Sequence, residues 1–133
     1  MILFVDTSVW SLAFRGDAVS TSEVVALRQV LEGGDTVATT GIVLQELLQG
    51  FSGSHARKDI IDGFSALPLL NPDRQDHIDA AALRNHCRRS GVQVGTIDAL
   101  LAQLCIRHAL TLLATDKDFV HAASHCPLRL WKP

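Results

Sequence analysis

The sequence predicts an α/β fold, a sandwich in which helices pack around a mainly parallel sheet. Residues 2–5 and 110–114 are short, unbroken apolar runs, as expected of strands that are buried on both faces. Helical patterns dominate the chain between these two runs, which is typical of a sheet covered by helices. A hydrophobic content of 47% in 133 residues is enough to form a substantial core.

Local signals indicate where the elements begin and end. Ser20 and Glu23 have the spacing of a capping box at a helix start, and the glycines at 33 and 91 suit helix ends. Pro68 lacks an N–H group, which places the strand around it at a sheet edge. The predicted helices cover residues 21–32, 42–49, 54–65, 75–90 and 99–109, and residues 8–14 form either a short helix or a turn. The predicted strands cover residues 2–5, 36–39, 67–70, 110–114 and 128–131, with a turn over 115–119.

Composition sets limits on the class of protein. The net charge of −2 argues against a uniformly basic nucleic-acid-binding surface, although four acids gathered in one site would leave +2 elsewhere. The three cysteines form no C-x-x-C pair, which favours a reducing compartment. No apolar run approaches the length of a membrane span, and no signal-peptide pattern is present. We therefore expect one cytoplasmic domain over residues 1–133, without a membrane anchor.

Four carboxylates occupy special positions in these elements. Asp6 and Asp116 each follow an apolar strand, at the end where open α/β sheets place their active sites. Glu46 lies inside an apolar helix, and Asp98 shares the apolar stripe of a helix in whose first turn it lies. Hard divalent cations such as Mg²⁺ would remove the repulsion between such acids and activate water for phosphodiester hydrolysis. In the alternative interpretation Asp6 only caps a helix, and Glu46 lies on a polar stripe with its neighbouring glutamines.

The order and separation of four motifs resemble those of PIN-domain ribonucleases, and most closely the VapC-type toxins of bacterial type II toxin–antitoxin pairs. The motifs are Phe4-Val-Asp6-Thr-Ser8, Leu44-Gln-Glu46-Leu-Leu-Gln-Gly50, Asp98-Ala-Leu-Leu-Ala102 and Leu113-Ala-Thr115-Asp-Lys-Asp-Phe119. The resemblance covers the whole chain and implies a PIN-like three-layer α/β/α sandwich around a mainly parallel sheet.

The same resemblance implies an activity and partners. The implied metal-binding and catalytic acids are Asp6, Glu46, Asp98 and Asp116, with Ser8, Thr115 and Asp118 as supporting residues. The implied enzyme is a Mg²⁺- or Mn²⁺-dependent endoribonuclease that cleaves a structured RNA of translation, tRNA or a ribosomal RNA loop, and leaves a 5′-phosphate. Its implied partners are a small VapB-like antitoxin, which blocks the acidic pocket, and a second copy of the chain in a homodimer that forms larger assemblies with the antitoxin.

The helix over residues 75–90 carries a cluster of cations. Three arginines, Arg84, Arg88 and Arg89, lie close together, as either a solvated face or a contact for RNA phosphates. The residues expected to face inward are Ile78, Ala81, Ala82 and Leu83.

Three other functions compete with a ribonuclease toxin. A zinc site would draw on histidines and cysteines around His86 and His125, although no two pairs have a structural-zinc spacing. A non-catalytic interaction module would use the acids only as caps and surface charges. A PIN-like nuclease of RNA processing or of DNA would share the site without being a toxin.

Overall fold

The structure, a computed structural model, describes residues 2–15 and 21–133. The strands are β1 (Leu3–Val5), β2 (Val37–Thr40), β3 (Leu69–Leu70), β4 (Thr111–Leu113) and β5 (Arg129–Leu130). The helices in these ranges are α1 (Thr7–Phe14), α2 (Ser22–Glu32), α3 (Gly41–Gly50), α4 (Ser54–Phe64), α5 (Arg74–Arg89), α6 (Thr96–Arg107) and α7 (Lys117–Ala123). The strand order is β3-β2-β1-β4-β5, with β1–β2, β2–β3 and β4–β5 pairing in parallel. The predicted α/β fold with a parallel sheet is confirmed.

The chain forms two compact units. The first comprises residues 1–71, 113–115 and 133, and the second comprises residues 72–112 and 116–132. The first unit therefore holds β1 to β3 and α1 to α4, and the second holds α5 to α7 and β5. The prediction of a single domain over residues 1–133 stays a prediction.

Buried strands organise the first unit. Leu3, Phe4 and Val5 in β1 are fully buried, as predicted, whereas Ile2 before them is 44% exposed. Strand β3 lies at the sheet edge, as Pro68 indicated, and the Pro68 carbonyl accepts a hydrogen bond of 3.2 Å from the Thr39 amide. Because β1 is short, buried and apolar, the first polar residue after it, Asp6, lies directly at the end of the strand.

Of two detailed predictions for the first unit, one involves a residue outside the described ranges and the other is wrong in part. The N-cap of α2 is Thr21, whose hydroxyl accepts a hydrogen bond of 3.3 Å from the Val24 amide. The predicted capping box began at Ser20, which lies outside the described residues. Helix α4 buries Ile60 and Phe64 as predicted, but Ile61 is 42% exposed because it lies about 60–100° around the helix from these two residues.

The buried face of α5 differs from the prediction. Ile78, Ala81 and Ala82 are exposed, and Ile78 is 55% exposed. The buried residues of α5 are Asp76, Ala80, Leu83 and Cys87. Their spacing follows one helical stripe, so the helix is rotated relative to the predicted apolar face. The first residue of this stripe, Asp76, is an acid, and a pattern of apolar residues does not identify an acid as buried.

Asp76 is buried because it is fully paired. The Asp73 amide donates to Asp76 Oδ2 and the Asp76 amide donates to Asp73 Oδ1, each at 2.9 Å, which forms a capping box. Arg107, the last residue of α6, donates to the Asp76 carboxylate. Burial disfavours the charged carboxylate, but the hydrogen bonds from Arg107 and Asp73 outweigh it and hold the pKa of Asp76 below its ordinary value.

Helix α6 ends two residues before the predicted limit. Ala109 has a φ of 54°, and the Leu110 amide donates to the Cys105 carbonyl at 2.8 Å, as in a Schellman motif. Helix α7 replaces the turn that was predicted over residues 115–119. This helix has seven residues, of which Phe119 and Ala122 are buried. Two buried positions are too few for a helical repeat to be recognised in the sequence. Within the described ranges, every helix is too short or too polar to cross a lipid bilayer.

The Asp76 pairing predicts an acid-sensitive link between α5 and α6. Asp76→Asn keeps the shape of the side chain but removes its charge, so we expect a loss of about 1.5–3 kcal/mol in the free energy of unfolding at pH 7. Because the pKa of Asp76 is lowered in the folded protein, its stabilisation is complete above about pH 4, the range of an unfolded Asp, and is lost as pH falls through the folded pKa. Urea denaturation of both proteins from pH 7 to pH 3 measures this difference.

Asp79→Asn is the matched control for this experiment. Asp79 lies on the same helix and accepts a hydrogen bond only from the Gln75 side chain, at 2.9 Å on the exposed surface. We expect it to change the unfolding free energy by less than about 0.5 kcal/mol. Equal losses in the two variants would show that the buried pair contributes nothing specific.

Candidate active site

The first predicted site residue lies where β1 ends. Asp6 is 7% exposed and is the N-cap of α1. Its Oδ2 atom accepts a hydrogen bond from the Ser8 amide at 3.2 Å and another from the Ser8 hydroxyl at 2.6 Å. The interpretation of Asp6 as a helix cap is therefore confirmed. A cap uses one carboxylate oxygen, so this role is compatible with metal binding by the other.

The Ser8 hydroxyl joins the end of β1 to the segment after β4. It accepts a hydrogen bond of 3.3 Å from the Thr115 amide while it donates to Asp6. Beside it, the Asp6 amide donates to the Leu113 carbonyl at 2.9 Å. Ser8 and Thr115, both predicted as supporting residues, are thus in direct contact, but Thr115 contributes its backbone in this bond.

Glu46 lies in α3 and is half-buried. Its Oε1 atom accepts a hydrogen bond of 2.8 Å from the Thr7 hydroxyl. The two glutamines expected on its polar stripe, Gln45 and Gln49, instead bond to each other on the exposed surface at 2.8 Å. Thr7 was not among the predicted site residues. Its only signal in the sequence is its place directly after Asp6, because the 39 residues that separate it from Glu46 conceal the contact.

These two acids have hydroxyl partners but no basic ones in the part of the chain that the structure describes. No nitrogen of Lys, Arg or His in that part lies within 4 Å of the Asp6 or Glu46 carboxylate. A buried carboxylate without a positive partner is unfavourable unless a cation is supplied from outside the chain. Carboxylate and hydroxyl oxygens are the donors that hard divalent cations prefer, so Asp6 and Glu46 fit a magnesium or manganese ion.

The other two acids belong to the second unit. Asp98 is half-buried in the first turn of α6, next to the buried Ala99. Asp116 is exposed and is the N-cap of α7, and its Oδ1 atom accepts a hydrogen bond of 2.9 Å from the Asp118 amide. Asp116 therefore repeats the arrangement of Asp6, since each follows a strand and accepts from the amide two residues later. Asp118 occupies the position equivalent to Ser8.

The structure brings the predicted residues together only in part. Asp6, Ser8, Glu46 and Thr115 lie in the first unit, and Asp98, Asp116 and Asp118 lie in the second. Among residues 2–15 and 21–133, no three side chains of His, Cys, Asp or Glu are grouped closely enough to hold a metal ion. The metal-binding and catalytic roles of the four acids stay predictions.

The residues considered for zinc do contact one another. The rings of His86 and His125 meet edge to face with centroids 6.3 Å apart. The neighbouring thiols are protected, because burial raises the pKa of Cys87 and of Cys126, and Cys126 Sγ donates to the Ala122 carbonyl at 3.2 Å. Among the described residues, no three His, Cys, Asp or Glu side chains are grouped closely enough to hold a zinc ion.

Comparison with known proteins identifies the family. The PIN domain family matches residues 3–124. The chain belongs to the PIN-domain family. Ribonuclease VapC11 of Mycobacterium tuberculosis is 32% identical over an alignment of 123 residues that covers 89% of each chain. A VapC ribonuclease of Mycobacterium bovis has the same identity and coverage. The resemblance to PIN-domain ribonucleases of the VapC type is confirmed.

Solved structures support the same fold. VapBC2 of Rickettsia felis, bound to a fragment of promoter DNA, superposes with a TM-score of 0.77 at 21% identity and covers 98% of both chains. VapC20 of Mycobacterium tuberculosis, a toxin that cleaves the sarcin–ricin loop, superposes with a TM-score of 0.68 at 24% identity over 96% of this chain and 98% of its own. At these identities the likeness concerns the PIN fold alone.

The two bonds of the Ser8 hydroxyl predict a measurable contribution to stability. Ser8→Ala removes the donor to Asp6 and the acceptor for the Thr115 amide, so we expect a loss of about 1–2 kcal/mol in the unfolding free energy. Ser22→Ala is the control, because the exposed Ser22 hydroxyl donates only to the adjacent Glu23, at 3.1 Å. Urea denaturation compares the variants, and a loss in Ser8→Ala no larger than in Ser22→Ala would contradict the prediction.

Proposed function

We propose that this PIN-domain protein is a Mg²⁺- or Mn²⁺-dependent endoribonuclease and the toxin of a VapBC-type toxin–antitoxin pair. The observation that carries the proposal is the buried Asp6 carboxylate, which is held by hydroxyl and amide donors and has no cationic partner in the described ranges. Identity to VapC ribonucleases over most of the chain supports the reaction class.

The metal-binding acids in this proposal are Asp6, Glu46, Asp98 and Asp116. Gathered around a divalent ion, their charges would be neutralised rather than mutually repulsive. Asp118 would support Asp116, just as Ser8 supports Asp6. Thr7 joins the predicted set as a positioning residue, because its hydroxyl fixes one oxygen of Glu46. Asp6, Glu46 and Asp116 would each present the remaining oxygen in a fixed direction.

The chain's own residues would position the reacting groups. The Ser8 hydroxyl holds one oxygen of Asp6, and the Thr7 hydroxyl holds one oxygen of Glu46. These carboxylates would therefore need no reorganisation when a cation binds. The bound divalent ion would supply an activated water and stabilise negative charge on the phosphate. The buried surroundings of Asp6 strengthen these electrostatic interactions by excluding solvent. In this mechanism no Ser, Cys or His of the chain acts as a nucleophile.

The proposed substrate is a structured RNA of translation in the cytoplasm, a tRNA or a ribosomal RNA loop. The proposed protein partner is a VapB-like antitoxin that covers the acidic site. Support comes from the structural neighbours, among which the proteins of Rickettsia felis and Salmonella typhimurium are VapBC complexes bound to DNA. We also propose that the chain forms a homodimer, and larger assemblies with the antitoxin.

Removing one carboxylate charge tests the catalytic site. We expect Asp98→Asn and Asp6→Asn to remain folded and to lose at least about 100-fold in Mg²⁺-dependent RNA cleavage, because an amide keeps the shape of the ligand but not its charge. The measurement is the initial rate of cleavage of total RNA, with sequencing of new 5′ ends to locate the cleaved bonds. Asp59→Asn is the control, since Asp59 is exposed on α4 and pairs only with His55 on the surface, at 3.4 Å. Full activity of Asp98→Asn would remove it from the site.

Metal binding is expected without RNA. Saturating Mn²⁺, at about 100 times its dissociation constant, would stabilise the protein by about 2.7 kcal/mol and raise its melting temperature. We expect EDTA to reverse this shift and Asp6→Asn to abolish most of it, whereas Asp59→Asn keeps it. An equal Mn²⁺ shift in all three proteins would indicate binding outside the acidic site.

Toxicity separates the proposed function from that of a PIN nuclease with a different role. Induced expression of the chain is expected to arrest growth, and co-expression of the antitoxin encoded beside it is expected to restore growth. Asp6→Ala is expected to be harmless. RNA cleavage without growth arrest would leave the nuclease assignment intact and contradict the toxin assignment.

A further inference from the structure

One surface cavity of the second unit is lined by two arginines. It has a volume of about 170 Å³, and its lining residues are Arg84, Arg88, Gln93 and Val94. Arg84 and Arg88 are one helical turn apart on α5, and the other two residues precede α6. Arg89 does not line the cavity, although the sequence pattern grouped it with the other two arginines.

A glycine turn builds this cavity. Gly91 follows α5 with a φ of +80°, a conformation that favours glycine, and the Val92 amide donates to the Cys87 carbonyl at 2.9 Å. The chain then returns alongside α5, where the Val94 side chain is buried and its carbonyl accepts a hydrogen bond of 2.9 Å from Arg84 Nε. The Arg84 guanidinium is therefore held in a fixed orientation at the cavity wall.

The positive charge of the cavity is not neutralised within the part of the chain that the structure describes. There, no carboxylate lies within 4 Å of either arginine. Arg84 uses Nε for Val94 and has two terminal nitrogens left, and among the described residues Arg88 donates to the neutral Asn85 side chain, at 3.2 Å. Two cations four residues apart on a helix repel each other. An anion between them would remove this repulsion and use the remaining N–H donors.

The shape of the donors points to a phosphate. A guanidinium presents a planar fork of N–H groups that matches phosphate oxygens, and the Gln93 amide can add a further donor. The cavity also lies close in the chain to a predicted metal-binding acid, because Asp98 is only four residues after Val94, in the first turn of α6. An RNA held at Asp98 through a divalent cation would therefore lie at the start of α6, the segment that follows this cavity in the chain.

We infer that Arg84, Arg88 and Gln93 form a binding pocket for a backbone phosphate of the RNA substrate, adjacent to the phosphodiester that is cleaved. This inference rests on the proposed ribonuclease function. The pocket contributes affinity and register but no base recognition, because phosphates carry no sequence information. The position of Arg88 in the last turn of α5 gives an alternative explanation for its presence, because cations there stabilise a helix. That account applies equally to Arg89, which makes Arg89 a matched control.

The test measures RNA binding as a function of salt. A fluorescein-labelled RNA hairpin is titrated with each protein in EDTA, so that cleavage does not interfere, at several KCl concentrations. We expect Arg88→Ala to weaken binding about tenfold and to reduce the slope of log K against log[KCl] by about 0.7–0.9, the value for one phosphate contact. Arg89→Ala, with the same loss of charge one residue away, is expected to stay within about twofold of the wild type. Arg84→Lys is expected to weaken binding with an unchanged slope, because it keeps the charge and loses the fork.

The outcomes that overturn the inference are distinct from those that overturn the proposed function. An unchanged slope in Arg88→Ala, or equal changes in Arg88→Ala and Arg89→Ala, would reject the pocket even if the wild type cleaves RNA in Mg²⁺. Tighter binding of poly-glutamate than of the hairpin would assign the pocket to an acidic protein and also reject the inference. Failure of the wild type to cleave any RNA would reject the nuclease, while the salt slopes would still report on the pocket. Thermal denaturation verifies that each variant is folded.

Discussion

The hydrogen bond from the Asp6 amide to the Leu113 carbonyl is the constraint on which the candidate site depends. It aligns the end of β1 with the end of the Leu113 strand, which lies far away in the sequence. The Ser8 hydroxyl then connects the Asp6 carboxylate to the Thr115 backbone, and Thr115 directly precedes Asp116. Strand pairing thus places the Asp6 backbone against the Leu113 strand, before any side chain contributes to the position of the Asp6 carboxylate.

Much of this organisation was predictable because it rests on local patterns. An unbroken apolar run marks a strand buried on both faces, and Leu3, Phe4 and Val5 are fully buried. Glycine at a helix end marks a left-handed turn, and Gly91 adopts one. The acids at strand ends were recognised from position alone. The bond between Thr7 and Glu46 was not predictable, since a single hydroxyl contact across 39 residues leaves no periodic signal.

The errors in α5 and α7 have a common physical origin. Patterns of hydrophobicity assume that charged residues face solvent, and Asp76 is buried because Arg107 and Asp73 satisfy its charge. The observed buried face of α5 includes this acid and is therefore rotated about the helix axis relative to the predicted apolar face. In α7 the helix start is defined by the Asp116 cap rather than by apolar periodicity, so the same residue that suggested a turn begins a helix.

In the hydrogen bond between Arg84 and the Val94 carbonyl, the backbone and the side chain of Val94 have different roles. The backbone of Val94 orients the guanidinium, whereas its side chain, 4% exposed, packs in the interior. Evolution can therefore exchange Val94 for another apolar residue of similar size without disturbing the arginine, since every amino acid carries the same carbonyl. Position 84 has no such freedom, because no other side chain combines an Nε donor with a second pair of donors. We therefore expect related sequences to vary among apolar residues at position 94 and to keep arginine at position 84.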